Sequence, residues 1–99
     1  MATLHIQDTV GDFDGWKRAF DSDPVHRQEG GVRRYRIWRD VSDPQFVMVD
    51  FEFDTVERAE GFLQRLHHLW NGPGARMVHN PQAWVVETVE EVELEPIAS

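Results

Sequence analysis

Residues 32–53 read VRRYRIWRDVSDPQFVMVDFEF, and their punctuation decides the fold. Residues 32–41 and 46–53 are runs rich in β-branched and aromatic side chains, separated by Ser42-Asp43-Pro44-Gln45, a turn composition. They predict an antiparallel hairpin. Placing Ile37 opposite Phe51 and Tyr35 opposite Phe53 gives one apolar face that also holds Val47 and Val49. The same register sets Arg36 opposite Glu52 and Arg34 opposite Asp54 on the other face. Arg39 then falls on the apolar side and has to reach past its edge.

Upstream of the hairpin, Leu4, Ile6 and Val10 alternate with His5, Gln7 and Thr9, the period of a strand with two unlike faces. Asp12 is a good N-cap, and Phe13, Trp16, Ala19 and Phe20 then recur at helical spacing. Ser22-Asp23-Pro24 is expected to kink or restart that helix, and Gly30-Gly31 to stop it. Downstream, Asp54-Thr55 offers a second cap. Val56, Ala59, Phe62, Leu63, Leu66 and Trp70 lie on one arc of a helix running to about Trp70. A loop over residues 71–81 follows, and residues 82–94 read as a last strand that turns acidic towards its end. The order βαββαβ predicts an α+β, ferredoxin-like domain over residues 1–99: a four-stranded antiparallel sheet with two helices on one face.

Composition narrows the function classes. The chain is 40% hydrophobic and 11% aromatic, enough to build a core despite a net charge of −8. Eighteen acids against ten Lys and Arg repel phosphate backbones and anionic lipid, so neither a nucleic-acid nor a membrane partner is expected. The chain has no Cys, which excludes disulfides, thiolate metal sites and cysteine nucleophiles. MATLHIQDTVGDF has no basic lead and no long apolar run, and the reading is a soluble cytoplasmic protein.

The stretches FDGWKRAFDSDP, GVRRYRIWRD and DPQFVMVDFEFDTVERAEGFLQRL resemble the dimeric α+β barrel superfamily, in particular short actinobacterial members. That superfamily includes antibiotic-biosynthesis monooxygenases, small polyketide cyclases and haem-degrading monooxygenases. The resemblance implies sheet order 4-1-3-2, ligands held between helices and sheet, and the other sheet face turned towards a partner subunit. It implies a homodimer whose edges are the second and fourth strands. Arg33, Arg34, Arg36 and Arg39 load the second strand, and Glu87, Glu90, Glu91, Glu93 and Glu95 load the fourth and its extension, so charge complementarity would pair them.

Three constellations could carry chemistry. In LHHLWNGPGARMVHNP, residues 66–81, helical phase puts Trp70 on the apolar arc, His67 at its margin near Glu60, and His68 towards solvent. Adjacent histidines diverge on a helix, and no His pair stands at four-residue spacing, so no dedicated metal site is expected. Folding at Asn71-Gly72-Pro73-Gly74 could bring Trp70 and His79 together. In the haem-degrading branch a helix-end Trp and a His about ten residues on serve as wall and axial ligand, although that branch's first-strand Asn is replaced here by Gln7 or His5. On the non-helical face, His5, Gln7, Arg36, Trp38, Asp50 and Glu52 form a polar group that reads as an inter-subunit network or an acid-base site. On the helical face, Phe13, Trp16, Phe20, Tyr35, Ile37, Phe51, Leu63 and Trp70 form either a core or an aromatic pocket for a hydrophobic small molecule.

The reading is therefore a cofactor-independent monooxygenase or cyclase acting on an aromatic or polyketide-like compound, with His67, His79 and Tyr35 as catalytic candidates. A haem protein using Trp70 and His79, and a non-catalytic dimeric ligand-binding domain, are the alternatives.

Overall fold

The computed structural model describes residues 1–97; Ala98 and Ser99, the end of the expected domain, lie outside the described residues. The elements are β1 (Ala2–Val10), α1 (Phe13–Asp21), β2 (Arg34–Arg39), β3 (Phe46–Phe53), α2 (Val56–Trp70) and β4 (Val78–Glu87). The sheet is antiparallel with order β2-β3-β1-β4, which makes β2 and β4 its edges. Leu4, Ile6 and Val10 of β1, and Val47, Val49, Phe51 and Phe53 of β3, point to one side and bury against Trp16 of α1 and Ala59, Phe62 and Leu66 of α2. Alternation along each strand thus separates a helical face, which is the core, from an outer face. Among the described residues no helix is long and apolar enough to cross a membrane.

Both helix starts follow from their caps. The Asp12 side chain accepts from the Gly15 N–H at 3.1 Å, and Thr55 Oγ1 accepts from the Arg58 N–H at 3.2 Å. An Asp12→Ala variant is expected to lose about 1 kcal/mol, because an orphan helix donor goes unmet. A melting temperature that stays unchanged in that variant would show the cap to be idle.

Five expectations need correction. Residues 22–31 do not restart a helix. Ser22 Oγ donates to the Ala19 carbonyl at 2.6 Å, and Asp23 and His26 then adopt φ of 56° and 51°, left-handed conformations that a helix cannot contain. The segment is a series of turns ending at Gly31, whose φ of 96° suits glycine. Arg65 of α2 ties it down by donating to the Val25 carbonyl at 3.0 Å.

The second correction is the hairpin register. Tyr35 pairs with Phe51, Ile37 with Val49, Arg34 with Glu52 and Arg36 with Asp50, a slide of two residues from the expectation. The Asp40 carboxylate accepts from the Ser42 and Asp43 N–H groups at 3.0 and 2.9 Å, and Asp43 accepts from the Gln45 N–H at 3.1 Å. These bonds close a wider turn than the Ser-Asp-Pro-Gln spacing implied, and β2 is correspondingly shorter than residues 32–41.

Third, β4 begins at Val78 and ends at Glu87 instead of covering residues 82–94. Ala2, the first residue of β1, pairs with Glu87, so the chain beyond has no strand to follow. Glu91 is therefore not on an edge strand, and only Glu87 of the acidic run is. Fourth, Val56 is exposed and does not join the buried arc of α2. Fifth, Arg34 meets Glu52 at 2.8 Å, and the expected Arg36–Glu52 pair is absent among the described residues. Arg39 does reach past the apolar face, with its guanidinium 4.5 Å from the centre of the Phe13 ring.

Candidate functional site

One side chain breaks the apolar row on the helical face. Asp8 continues the inward series of Ala2, Leu4, Ile6 and Val10, is only 4% exposed, and its Oδ1 has no hydrogen-bond partner. Burial pushes its carboxyl up from 3.8 to about 6, because a carboxylate loses its water there. The strand pairing is irregular beside it. Gln7 pairs with Gln82 but Thr9 with His79, so β4 carries an extra residue opposite Asp8. Asn80 takes up the bulge with φ of 51°, and Pro81 has no N–H to offer.

Asp8 lines a cavity of about 250 Å³ between sheet and helices. Ile6, Val49 and Phe51 form its floor beside Asp8, Trp16 and Phe20 of α1 one wall, and Leu66, Leu69 and Trp70 of α2 the other. Pro24, Val25 and Arg27 of the 22–31 turns and Met77 before β4 complete the lining. The aromatic wall is continuous: Trp16 and Phe20 ring centres lie 5.3 Å apart, and Phe20 stacks on Phe51 at 6.1 Å. An apolar chamber with a single acid at its floor can hold a flat hydrophobic molecule and exchange a proton with it.

The sequence candidates are distributed differently from the expectation. Trp16, Phe20, Phe51 and Trp70 line the cavity, while Ile37 and Leu63 pack beside the core outside that lining. Tyr35 stands on the β2 edge, edge-on to Phe20 at 5.2 Å, in an adjoining groove with Asp23, Arg27, Arg33 and Arg34. His67 is exposed on the far flank of α2, its ring 5.7 Å from Trp70, in another groove with Leu63, Pro81 and Ala83. His79 is exposed next to buried Val78, so it belongs to the outer face. The structure does not bring His67, His79 and Tyr35 together. Nor do Trp70 and His79 face one chamber, because the sheet separates them.

Asp8 and Arg27 were missed. Asp8 had a sequence signal, since an acid occupies an inward position in an otherwise apolar alternation; Arg27 had none, because its segment reads as helix.

On the outer face, His5 Nδ1 donates to Asp50 Oδ1 at 2.5 Å, and Gln7 Nε2 donates to His5 Nε2 at 3.1 Å. Trp38 Nε1 donates to Asp50 Oδ2 at 3.3 Å, and the His5 and Trp84 rings lie 5.9 Å apart. His5, Gln7, Trp38 and Asp50 thus form one satisfied network, while Arg36 lies over Trp38 at 5.2 Å and Glu52 is taken by Arg34.

A scan against protein-family models matches none, and a search of the curated proteins finds no match. Solved structures do match over most of the chain. An antibiotic biosynthesis monooxygenase superposes with a TM-score of 0.67 at 13% identity, covering 91% of this chain and 100% of the other. The chain has the fold of that monooxygenase. A variant of SnoaB, a cofactor-independent oxygenase from Streptomyces nogalater, matches with a TM-score of 0.65 at 15% identity, over 92% of this chain and 95% of its own. A variant of MhuD with two manganese protoporphyrin IX molecules bound per active site matches with a TM-score of 0.69 at 13% identity, over 94% and 99%. Identities this low establish the monooxygenase fold and leave activity to the site.

The MhuD likeness makes haem a cofactor to test against the residues present. The expected pair, Trp70 as wall and His79 as axial ligand, is split by the sheet. Among the described residues the cavity lining holds no His, Cys or Tyr, and Met77 is its one side chain of a type that ligates haem iron.

Proposed function

We propose that the chain is a small-molecule enzyme of the cofactor-independent oxygenase or cyclase type, taking a proton from an aromatic or polyketide-like compound with Asp8 as the base. The observation that carries this reading is the unpartnered, buried Asp8 carboxyl at the floor of an aromatic cavity. A carboxylate largely stripped of water and with one oxygen unpartnered is a stronger base than a solvated one, and its affinity for a proton near pH 6 suits turnover close to neutrality. Asp8 would take the proton of a methylene or hydroxyl conjugated with a ring carbonyl, and the apolar walls would keep the resulting anion away from bulk water. In an oxygenation, dioxygen then supplies one atom to that carbon and leaves the other as water, together with the two methylene hydrogens. In a cyclisation, the same anion attacks a carbonyl carbon of the substrate, whose C=O π bond opens to an alkoxide that takes the proton back from Asp8. Both reactions begin at Asp8.

Anthrone is a suitable probe, because loss of its central methylene proton generates an aromatic anion. Oxygen uptake with anthrone should follow the ionised fraction of Asp8, so kcat/KM is expected to rise with pH through about 6 and level off above it. Asp8→Asn should lower the uptake by about a hundredfold or more while leaving calorimetric binding of anthrone in place. Undiminished turnover in Asp8→Asn would remove Asp8 from the mechanism. Saturable binding with no turnover by the wild type would favour the non-catalytic ligand-binding domain instead.

We also propose that the working unit is a homodimer closed across the outer face. That face presents Trp38, Trp84 and Val86 to solvent, and both sheet edges are free in the single chain.

A further inference from the structure

The cavity also holds a cation, at a different place from its acid. Arg27 is in the lining, its side chain is 15% exposed, and its guanidinium lies 4.1 Å from the centre of the Phe20 ring and 5.0 Å from that of Tyr35. Its Nη1 donates to the Phe20 carbonyl at 2.6 Å. Its carboxylate neighbour is loosely placed: Asp23 Oδ1 is 3.5 Å from Nη1 and already accepts from the Arg27 backbone N–H at 2.9 Å. A guanidinium carries five N–H donors in a fixed fork, so one carbonyl and one distant carboxylate leave it short of acceptors. No ion pair joins Arg27 to Asp8 among the described residues, and desolvation alone governs the Asp8 carboxyl.

We propose that the cavity selects flat aromatic ligands bearing a carboxylate, and that Arg27 is the residue that reads it. The ring would lie against Trp16, Phe20 and Trp70, with the carboxylate at the Arg27 end, away from Asp8. Beyond Arg27 the chamber adjoins a groove formed with Arg33, Arg34 and Tyr35. Arg34 there is held by Glu52 at 2.8 Å and Arg33 is exposed with Asp54 at 3.8 Å; Arg27, with Asp23 at 3.5 Å, is the arginine of the three that also lines the apolar chamber. A chain of net charge −8 otherwise repels anions, which makes a half-satisfied cation at an apolar chamber a local exception with a use. This inference rests on the cavity being the ligand site, as proposed above, and not on Asp8 acting as the base.

The test is calorimetric titration at neutral pH with 2-naphthoate and its neutral relative 2-naphthamide, using wild type, Arg27→Met, Arg27→Lys and Asp8→Asn. Naphthoate should bind the wild type about tenfold more tightly than naphthamide, the usual gain of a charge-assisted hydrogen bond over a neutral one. Arg27→Met should abolish that preference with naphthamide affinity kept, Arg27→Lys should retain part of it, and Asp8→Asn, which removes a like charge from the same cavity, should not lower it. Equal binding of the two compounds by the wild type overturns the inference, whether or not Arg27→Met folds, and leaves Asp8 as base untouched. An unchanged preference in a folded Arg27→Met also overturns it, making Arg27 only a pin for the end of α1. Failure of both compounds to bind overturns the cavity reading and this inference together.

Discussion

Replacing Asp8 by Asn is expected to make the protein more stable at pH 8 while lowering its turnover by about a hundredfold or more, the scale of losing a general base. The carboxyl titrates at 3.8 in an open chain and at about 6 in the fold. Between those values the folded state holds more protons than the unfolded one, so stability falls as pH rises. The penalty is absent below about pH 4, grows through about pH 6 and is constant above it, at about 3 kcal/mol. Asn has nearly the same shape and no charge, but its amide also goes short of partners, which cancels about 1 kcal/mol of the gain. A net effect of about 2 kcal/mol in a domain of this size corresponds to a melting temperature about 10 °C higher at pH 8. Near pH 4 the wild-type carboxyl is itself neutral, and the advantage should vanish or reverse. Thermal melts of both proteins across this pH range check the claim. An Asp8→Asn variant that melts below the wild type at pH 8 would mean that the carboxylate has a partner stabilising it. Such a reversal would remove the strained base from the site.

The element order and both N-caps were legible because each depends on local chemistry: strand alternation, helical spacing, and an Asp or Thr before an apolar repeat; the sheet order followed only from the family resemblance. The hairpin register was not. A slide of two residues leaves every side chain on the same face, so alternation cannot detect it, and the deciding bonds run from the Asp40 and Asp43 side chains to the turn backbone. The bounds of β4 were hidden for a related reason. Its early start depends on the Asn80 bulge, and its end on where β1 runs out, and both are properties of a partner strand. The cavity shows the same division. Its aromatic walls could be read from helical and strand periodicity, but histidine chemistry drew attention to residues outside its lining, because His67 and His79 are separated by an element whose placement the spacing did not contain. Asp8 was visible in principle. It occupies the position between Ile6 and Val10 where the apolar series demands a hydrophobe, and a local rule broken in a core position is a common mark of function.

Replacing Trp84 and Trp38 by Glu is expected to dissociate the proposed dimer, raising its dissociation constant about a thousandfold. The two indoles are each 44% exposed on the outer face, on either side of the satisfied His5–Asp50 network, and such rings are costly to leave in water. Buried at a two-fold interface, where each substitution counts twice, the four indoles need contribute only about 1 kcal/mol apiece to give that change. Charge complementarity between β2 and the partner's β4 is a weaker device than the sequence implied. Arg34 is already committed to Glu52, and Glu91 lies beyond the strand, which leaves Arg36 and Glu87 as the edge charges to meet across the axis. Exposed pairs of that kind contribute about 0–1 kcal/mol, so the dimer should persist in high salt. Residues past β4 add a second source of contact. Val89, Val92, Leu94 and Ile97 are exposed and have no seat on their own chain, so truncation after Thr88 should also shift the equilibrium towards monomer or aggregate. Sedimentation at micromolar concentration separates the cases. The wild type is expected to be a dimer at low and high salt, and the double variant a folded monomer with its cavity binding retained, since neither Trp lines that chamber. A monodisperse wild-type monomer would leave the outer face without its partner and overturn the closed barrel, whatever the cavity proves to bind.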